Sequence, residues 1–230
     1  MIEARVAAVQ ERIARAATRA GRRAADITLL AVSKTHPPEA VRAAHAAGLV
    51  DFAENKVQEA ETKIGALSDL RARTRWHLVG HLQSNKARKA ATLFDRIHSV
   101  DGVELALKLE HAVAQAGKTL DVFVQVDLAG EVTKHGADEA HLFPLLEELR
   151  GFRSLRAVGL MILPPLGAAP EASRPFFARL RALRDKAQGG GLLLGSELSM
   201  GMSHDFEVAI EEGATTVRVG TALFGERKLL

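Results

Sequence analysis

Apolar positions along this chain follow two rhythms. Ile2, Val6, Val9, Ile13 and Ala17 stand three and four residues apart, the stripe of an amphipathic helix that ends near Gly21. After it come eight compact apolar runs: "ITLLAVS" from residue 27, "LVDFAEN" from 49, "TRWHLVG" from 74, "FDRIHSV" from 94, "LDVFVQVD" from 120, "LRAVGLMIL" from 155, "LLLGSELS" from 192 and "TTVRVG" from 215. Runs of this length and content predict strands covered on both faces. Helical stretches separate them, among them Pro38 to Ala47, Lys86 to Leu93, Gly102 to Ala116, Ala137 to Leu149, Glu171 to Ala187 and His204 to Glu212.

Strict alternation of strand and helix implies right-handed parallel crossovers, and eight of them favour a closed (β/α)8 TIM-type barrel with an additional N-terminal helix. An open doubly wound sheet is the alternative. The 230 residues are 47% hydrophobic and contain no long Gly/Ser-rich or Pro-rich linker, so a single domain spanning 1–230, with short loops, is expected.

Composition narrows the chemistry. Cysteine is absent, which rules out disulfides and thiolate metal sites. No apolar stretch approaches a membrane span, and Glu3 and Arg5 with no apolar segment behind them do not form a secretory signal, so a cytoplasmic address is expected. The 31 basic residues are interspersed with 28 acidic ones and aromatics make up 4%, a poor basis for nucleic-acid binding. Neither a nucleic acid nor a membrane is an expected partner.

A barrel gathers its functional groups where strands end at their carboxyl edge. Those positions are Lys34, Glu54 and Asn55, Gly80 and His81, Ser99, Asp127, Met161, the segment "SMGMSHD" and the segment "RVGTALFG". Lys34 reads either as an anchor for a ligand or as a solvated loop charge. Asn55 either caps the next helix or offers its amide to a ligand ring. Ser199 and Gly201 after the seventh run, with Gly220 and Thr221 after the eighth, are small residues where barrels often bind phosphate. The structural reading of the same loop is that Ser203 caps a helix whose first turn carries Asp205 and Glu207. Arg218, between Val217 and Val219, needs a partner if it points inward and is an ordinary interface residue if it points outward.

Two other patterns carry less. His77 and His81 have metal-ligand spacing for a helix, but they lie on a strand running into a loop, which leaves His77 to packing or hydrogen bonding and His81 to the cavity rim. The tripeptide Ser203-His204-Asp205 is no triad, since triad members converge from separate parts of a chain.

"AVSKT" with Lys34, "FAENKVQE", "WHLVGHLQSNK", "GLMIL", "LSMGMSHDFEVAI" and "VRVGTALFG", in this order from about Leu29 to Gly225, together resemble the pyridoxal 5′-phosphate (PLP) homeostasis protein family, whose fold is similar to the barrel domain of alanine racemase. The resemblance implies PLP as cofactor and Lys34 as its Schiff-base lysine. It implies phosphate among Ser199, Gly201, Gly220 and Thr221, with Asn55 and Met161 beside the cofactor and Arg218 against the pyridine nitrogen. Ala53 stands where that family more usually has glycine, and Lys56 where it often has tyrosine.

Three functions compete: a non-catalytic PLP carrier, a racemase-like enzyme, and a Schiff-base aldolase without PLP. Alanine racemases draw one of two bases from a tyrosine on a second domain, and this chain has no tyrosine. The carrier is the expectation, with a role in vitamin B6 and amino-acid homeostasis, PLP-dependent apoenzymes as recipients, and a monomer or weak dimer as its state.

Overall fold

In the computed structural model, which describes residues 1–130, 135–165 and 167–226, eight parallel strands close on themselves. They are β1 (Thr28–Val32), β2 (Asp51–Glu54), β3 (Arg75–Leu78), β4 (Arg96–Val100), β5 (Leu120–Val126), β6 (Leu155–Ile162), β7 (Glu197–Met202) and β8 (Thr216–Val219). Each pairs with its sequence neighbours, and β8 returns to β1 with Leu30 opposite Arg218. The closed (β/α)8 barrel expected from the alternating runs is therefore present, and the open sheet is not.

Helices α1 (Ile2–Arg19), α2 (Pro38–Ala46), α3 (Val57–Ala66), α4 (Ala87–Leu93), α5 (Val103–Gln115), α6 (Glu139–Arg150), α7 (Arg174–Gly189), α8 (Phe206–Glu211) and α9 (Thr221–Phe224) surround the barrel. The predicted N-terminal helix buries Val6, Val9, Ile13 and Ala17, the stripe seen in the sequence. It packs on α8 and α9, with Arg12 bonded through both arms to Glu207 at 2.8 and 3.1 Å. Surface pairs of this kind contribute roughly 0–1 kcal/mol each, so apolar burial is what holds α1 in place.

Most apolar side chains form one cluster between strands and helices. Two smaller clusters, Leu30 with Ala53 and Val79, and Phe123 with Val158 and Met161, form separately from it. Strand alternation places Leu30, Ala53 and Val79 on the inner face, and the same parity carries Asp51, His77, Ser199 and Arg218 inward. At the amino edge the barrel is tied by charge. Arg75 grips Asp51 at 2.6 and 2.7 Å, Arg96 reaches Glu197 at 2.7 Å and Asp121 at 3.3 Å, and Arg156 reaches Asp121 at 2.7 Å.

The seventh strand differs from its expected position. Leu192 to Leu194 follow three glycines that end α7 and form a loop in which Leu192 and Leu193 are buried and Leu194 is exposed. The strand starts at Glu197 and runs three residues past Ser199. A Cβ on Gly195 would lie 2.6 Å from the Val158 carbonyl oxygen, so the chain presses against β6 before the strand begins. Ser199 is thus within a strand, not at its end. The following helix also starts later than expected, at Phe206, and Ser203 does not cap it.

Candidate functional site

The ends of β8, β1 and β2 are adjacent in the barrel, which brings Gly220 and Thr221, Lys34, and Asn55 to one side of the carboxyl mouth. Lys34 lies two residues beyond Val32 on the inward parity of β1 and is half-buried. Its flanks are pinned. Ser33 donates its hydroxyl to Glu54 at 2.7 Å and its backbone carbonyl accepts from the buried Lys63 ammonium at 2.7 Å, while the N–H of Thr35 donates to Glu59. Thr35 itself adopts φ 66, so the chain turns sharply just after the lysine.

Glu54 belongs to the outer side of the wall. Lys63 donates to its Oε1 at 2.5 Å, its Oε2 has no hydrogen-bond partner among the described residues, and burial raises its pKa above the ordinary carboxylate value against the pull of Lys63. The cleft beside the Lys34 turn, about 770 Å³ in volume, is lined by Lys63, Glu59, His36 and Phe224. It adjoins this outer pair and not Arg218.

Asn55 is half-buried and does not cap α3, whose N-cap is Lys56 without a side-chain bond. Close approach of β3 positions it: a Cβ on Gly80 would lie 2.2 Å from the Asn55 carbonyl oxygen, so only glycine fits there. Ser99, at the end of β4, donates its hydroxyl to the Gly80 carbonyl at 2.7 Å and holds that loop.

Gly201 has φ +91, and a Cβ on it would meet the Ala209 methyl at 2.5 Å and the Phe206 Cα at 2.9 Å. It lets the β7 loop fold tightly over α8. Gly220 lies against β1, where an added Cβ would meet the Val32 carbonyl oxygen at 3.3 Å. Ser203 ties the two loops together by accepting from the N–H groups of Gly220 at 3.2 Å and Ala222 at 3.3 Å. Asp205, expected in a helix first turn, instead accepts from the Met202 N–H and from the Ser173 hydroxyl, both at 2.7 Å, and so braces the end of β7.

Arg218 points inward and is 3% exposed. Its Nη1 donates to the Ser199 hydroxyl at 2.8 Å and its Nη2 to the Ile162 carbonyl at 2.7 Å. Burial lowers its pKa to about 10, with Asp205 pulling the other way, so it is a cation at neutral pH. Two of five N–H donors are spent on neutral oxygens, and no carboxylate is among its hydrogen-bond partners in the described residues. A buried cation placed this way is a ready receptor for an acceptor atom on a ligand.

The Ser199 hydroxyl lies between Arg218 and Nδ1 of His98, 2.8 Å from each. Because β7 runs on to Met202, Ser199 is fully buried in the barrel, where its hydroxyl bonds Arg218 and His98. Met161 is fully buried, in register with Ser199 and clustered with Phe123, which makes it part of the floor beneath the mouth.

His81, Asp101 and His135 gather at the rim after β3, β4 and β5, with ligand atoms within 4.8 Å of one another. The two imidazoles stack with centroids 3.5 Å apart and planes 10° apart. Lone pairs from parallel rings run in separate planes, so one ion does not lie in the plane of both without ring rotation.

A barrel with a lysine at the end of its first strand, a buried arginine in its last and small-residue loops after the final two strands has the architecture of a cofactor-binding barrel of the alanine racemase type, and residues 5–228 match the family described as alanine racemase, N-terminal domain. The pyridoxal phosphate homeostasis protein of Aquifex aeolicus is 44% identical over 224 residues, 97% of each chain, and that of Pseudomonas aeruginosa is 47% identical over 96% of this chain and 94% of its own. PipY of Synechococcus elongatus, solved with PLP bound, superposes with a TM-score of 0.87 at 40% identity, over 98% of this chain and all of its own. The chain belongs to the pyridoxal phosphate homeostasis protein family.

Sequence reasoning missed Ser203 as the tie between the two loops, because a helix-capping role accounted for it. It also missed His98, a lone strand histidine with no pattern to mark it.

Proposed function

We propose that this protein binds PLP across the barrel mouth, with Lys34 as the residue that holds it covalently as a Schiff base, and that it stores and delivers the cofactor without turning over amino acids. The observation that carries this reading is Arg218: a buried guanidinium on neutral oxygens, beside the strand that leads to Lys34. PLP supplies an aldehyde that condenses with a primary amine and a pyridine ring that draws electrons from bonds at that carbon.

The residues fit such a group. Arg218, a cation at neutral pH, would donate to the pyridine nitrogen and so disfavour a proton on that nitrogen. That weakens the ring as an electron sink. Gly201, Gly220 and Thr221, with the Ser203 hydroxyl, would hold the phosphate. α8 and α9 span six and four residues, so loop N–H groups and not a helix dipole carry that recognition. Lys34 supplies the primary amine that such an aldehyde requires. Asn55, positioned by Gly80, offers its amide beside the ring.

The racemase-like alternative needs a second base on the far side of the cofactor, and the chain has no tyrosine to supply one. An aldolase without PLP needs an acid–base group facing Lys34, whereas Glu54 is committed to Lys63 and Ser33 on the outer side. As a cytoplasmic carrier the protein hands PLP to PLP-dependent apoenzymes. The test is a coupled assay of alanine racemisation and transamination by the PLP-loaded protein: rates no greater than those of free PLP are expected, and rates well above them would overturn the carrier reading.

A further inference from the structure

A single file of hydrogen bonds crosses the barrel interior. It runs from Arg218 Nη1 to the Ser199 hydroxyl (2.8 Å), to His98 Nδ1 (2.8 Å), from His98 Nε2 to His77 Nδ1 (3.0 Å), and from His77 Nε2 to Asp51 Oδ1 (3.1 Å), where Arg75 closes it. It links β8, β7, β4, β3 and β2, and from Arg218 to Asp51 every member is buried.

The two ends dictate its polarity. Arg218 can only donate, and an ionised Asp51 can only accept. Ser199 therefore accepts from Arg218 and sends its hydrogen to Nδ1 of His98. His98 carries its proton on Nε2 and donates it to Nδ1 of His77, and His77 donates from Nε2 to Asp51. With this arrangement both rings are neutral and each atom has its partner; the ring protons follow from the network.

The surroundings agree. Burial lowers the pKa of both rings, His98 well below its ordinary value with His77 and Arg218 adding to the effect, while Asp51 opposes the shift at His77. The charged groups around the file are Asp51 and Arg75 at one end, Asp95 and Arg96 beside β4, and Arg218 with Asp205 at the other. Phe123 of β5 stacks on His98 at 4.1 Å and blocks a ring flip.

We propose that His98 and His77 are positioning residues for Arg218: anchored on Asp51, they fix the Ser199 hydroxyl as an acceptor and so hold the guanidinium in the orientation that the pyridine nitrogen of the cofactor meets. The proposal rests on the reading that Arg218 faces that ring.

The first test needs no cofactor. In the full chain labelled with ¹⁵N-histidine, NMR should find two rings neutral and protonated on Nε2 from pH 7.5 to 5.5, assigned by their loss in His77→Phe and His98→Phe. A cationic ring, or a proton on Nδ1 of His98, overturns the polarity and with it the proposal. The second test adds PLP to Ser199→Ala, Ser199→Thr and His98→Phe. Ser199→Ala and His98→Phe should bind PLP roughly tenfold more weakly, the loss of about one charge-assisted hydrogen bond, and shift the pH at which the bound cofactor's visible band changes. Ser199→Thr, which keeps the hydroxyl, should restore both. If all three variants match the parent in that pH profile, the positioning role is wrong although PLP binding stands. If the parent itself binds no PLP, the underlying reading fails, whatever the ring tautomers show.

Discussion

Two of the nine histidines, His77 and His98, are buried, and their neutrality makes the protein acid-sensitive in a defined way. Their folded pKa values lie below the unfolded value near 6.5, because burial disfavours the imidazolium. Below that pH the unfolded chain takes up protons that the folded chain refuses, so stability is lost as pH falls. A ring that stays neutral when folded removes about 1 kcal/mol of stability between pH 6.5 and 5.5, and the pair about 2 kcal/mol. Glu54 acts in the opposite direction, because its raised pKa adds stability as pH falls toward 4.5; parent and variant share it, so the difference between their slopes isolates the histidine. Asp51, held at about 2 by hydrogen bonds from His77 and Arg75 against the effect of burial, contributes a loss only below about pH 4. Urea unfolding of the parent and of His98→Phe at half-unit pH steps measures this. The variant keeps the stack on Phe123 but should show about half the parent's pH slope. A parent curve flat between pH 6.5 and 5.5, or equal slopes in both proteins, would refute the neutral pair.

Other substitutions separate scaffold from binding. Gly201→Ala places a methyl 2.5 Å from Ala209 in a backbone with φ +91, and should cost about 3 kcal/mol in urea unfolding. Ser203→Ala and Thr221→Val leave Lys34 in place while removing donors near the phosphate, so each should raise the PLP concentration needed for half-saturation without abolishing the visible band. If inorganic phosphate competes with PLP equally well in both variants and the parent, those residues do not touch the phosphate.

Much of the barrel was legible because each strand is a short, largely buried run and each helix carries a stripe. β7 was displaced because the run Leu192 to Leu194 has the composition of a strand, yet it follows three glycines and packs as a loop. That displacement moved Ser199 from the mouth into the interior. The adjacency of Lys34, Asn55, Gly220 and Thr221 could be read from strand ends alone, since closure makes first and last strands neighbours. The file from Arg218 to Asp51 could not, because its members come from five strands, and only their parity and register bring the side chains together. The amino-edge ties of Arg96 with Glu197 and Asp121 were hidden for the same reason.

The central claim is that Lys34 anchors PLP, and reduction of the loaded protein with borohydride followed by peptide mapping tests it most directly. The account predicts loss of the visible band and a pyridoxyl label on the peptide containing Lys34, with no label and no band in Lys34→Ala, which should still bind PLP reversibly through Arg218 and the phosphate loops. A label on another lysine such as Lys56, or a band that survives in Lys34→Ala, would contradict it.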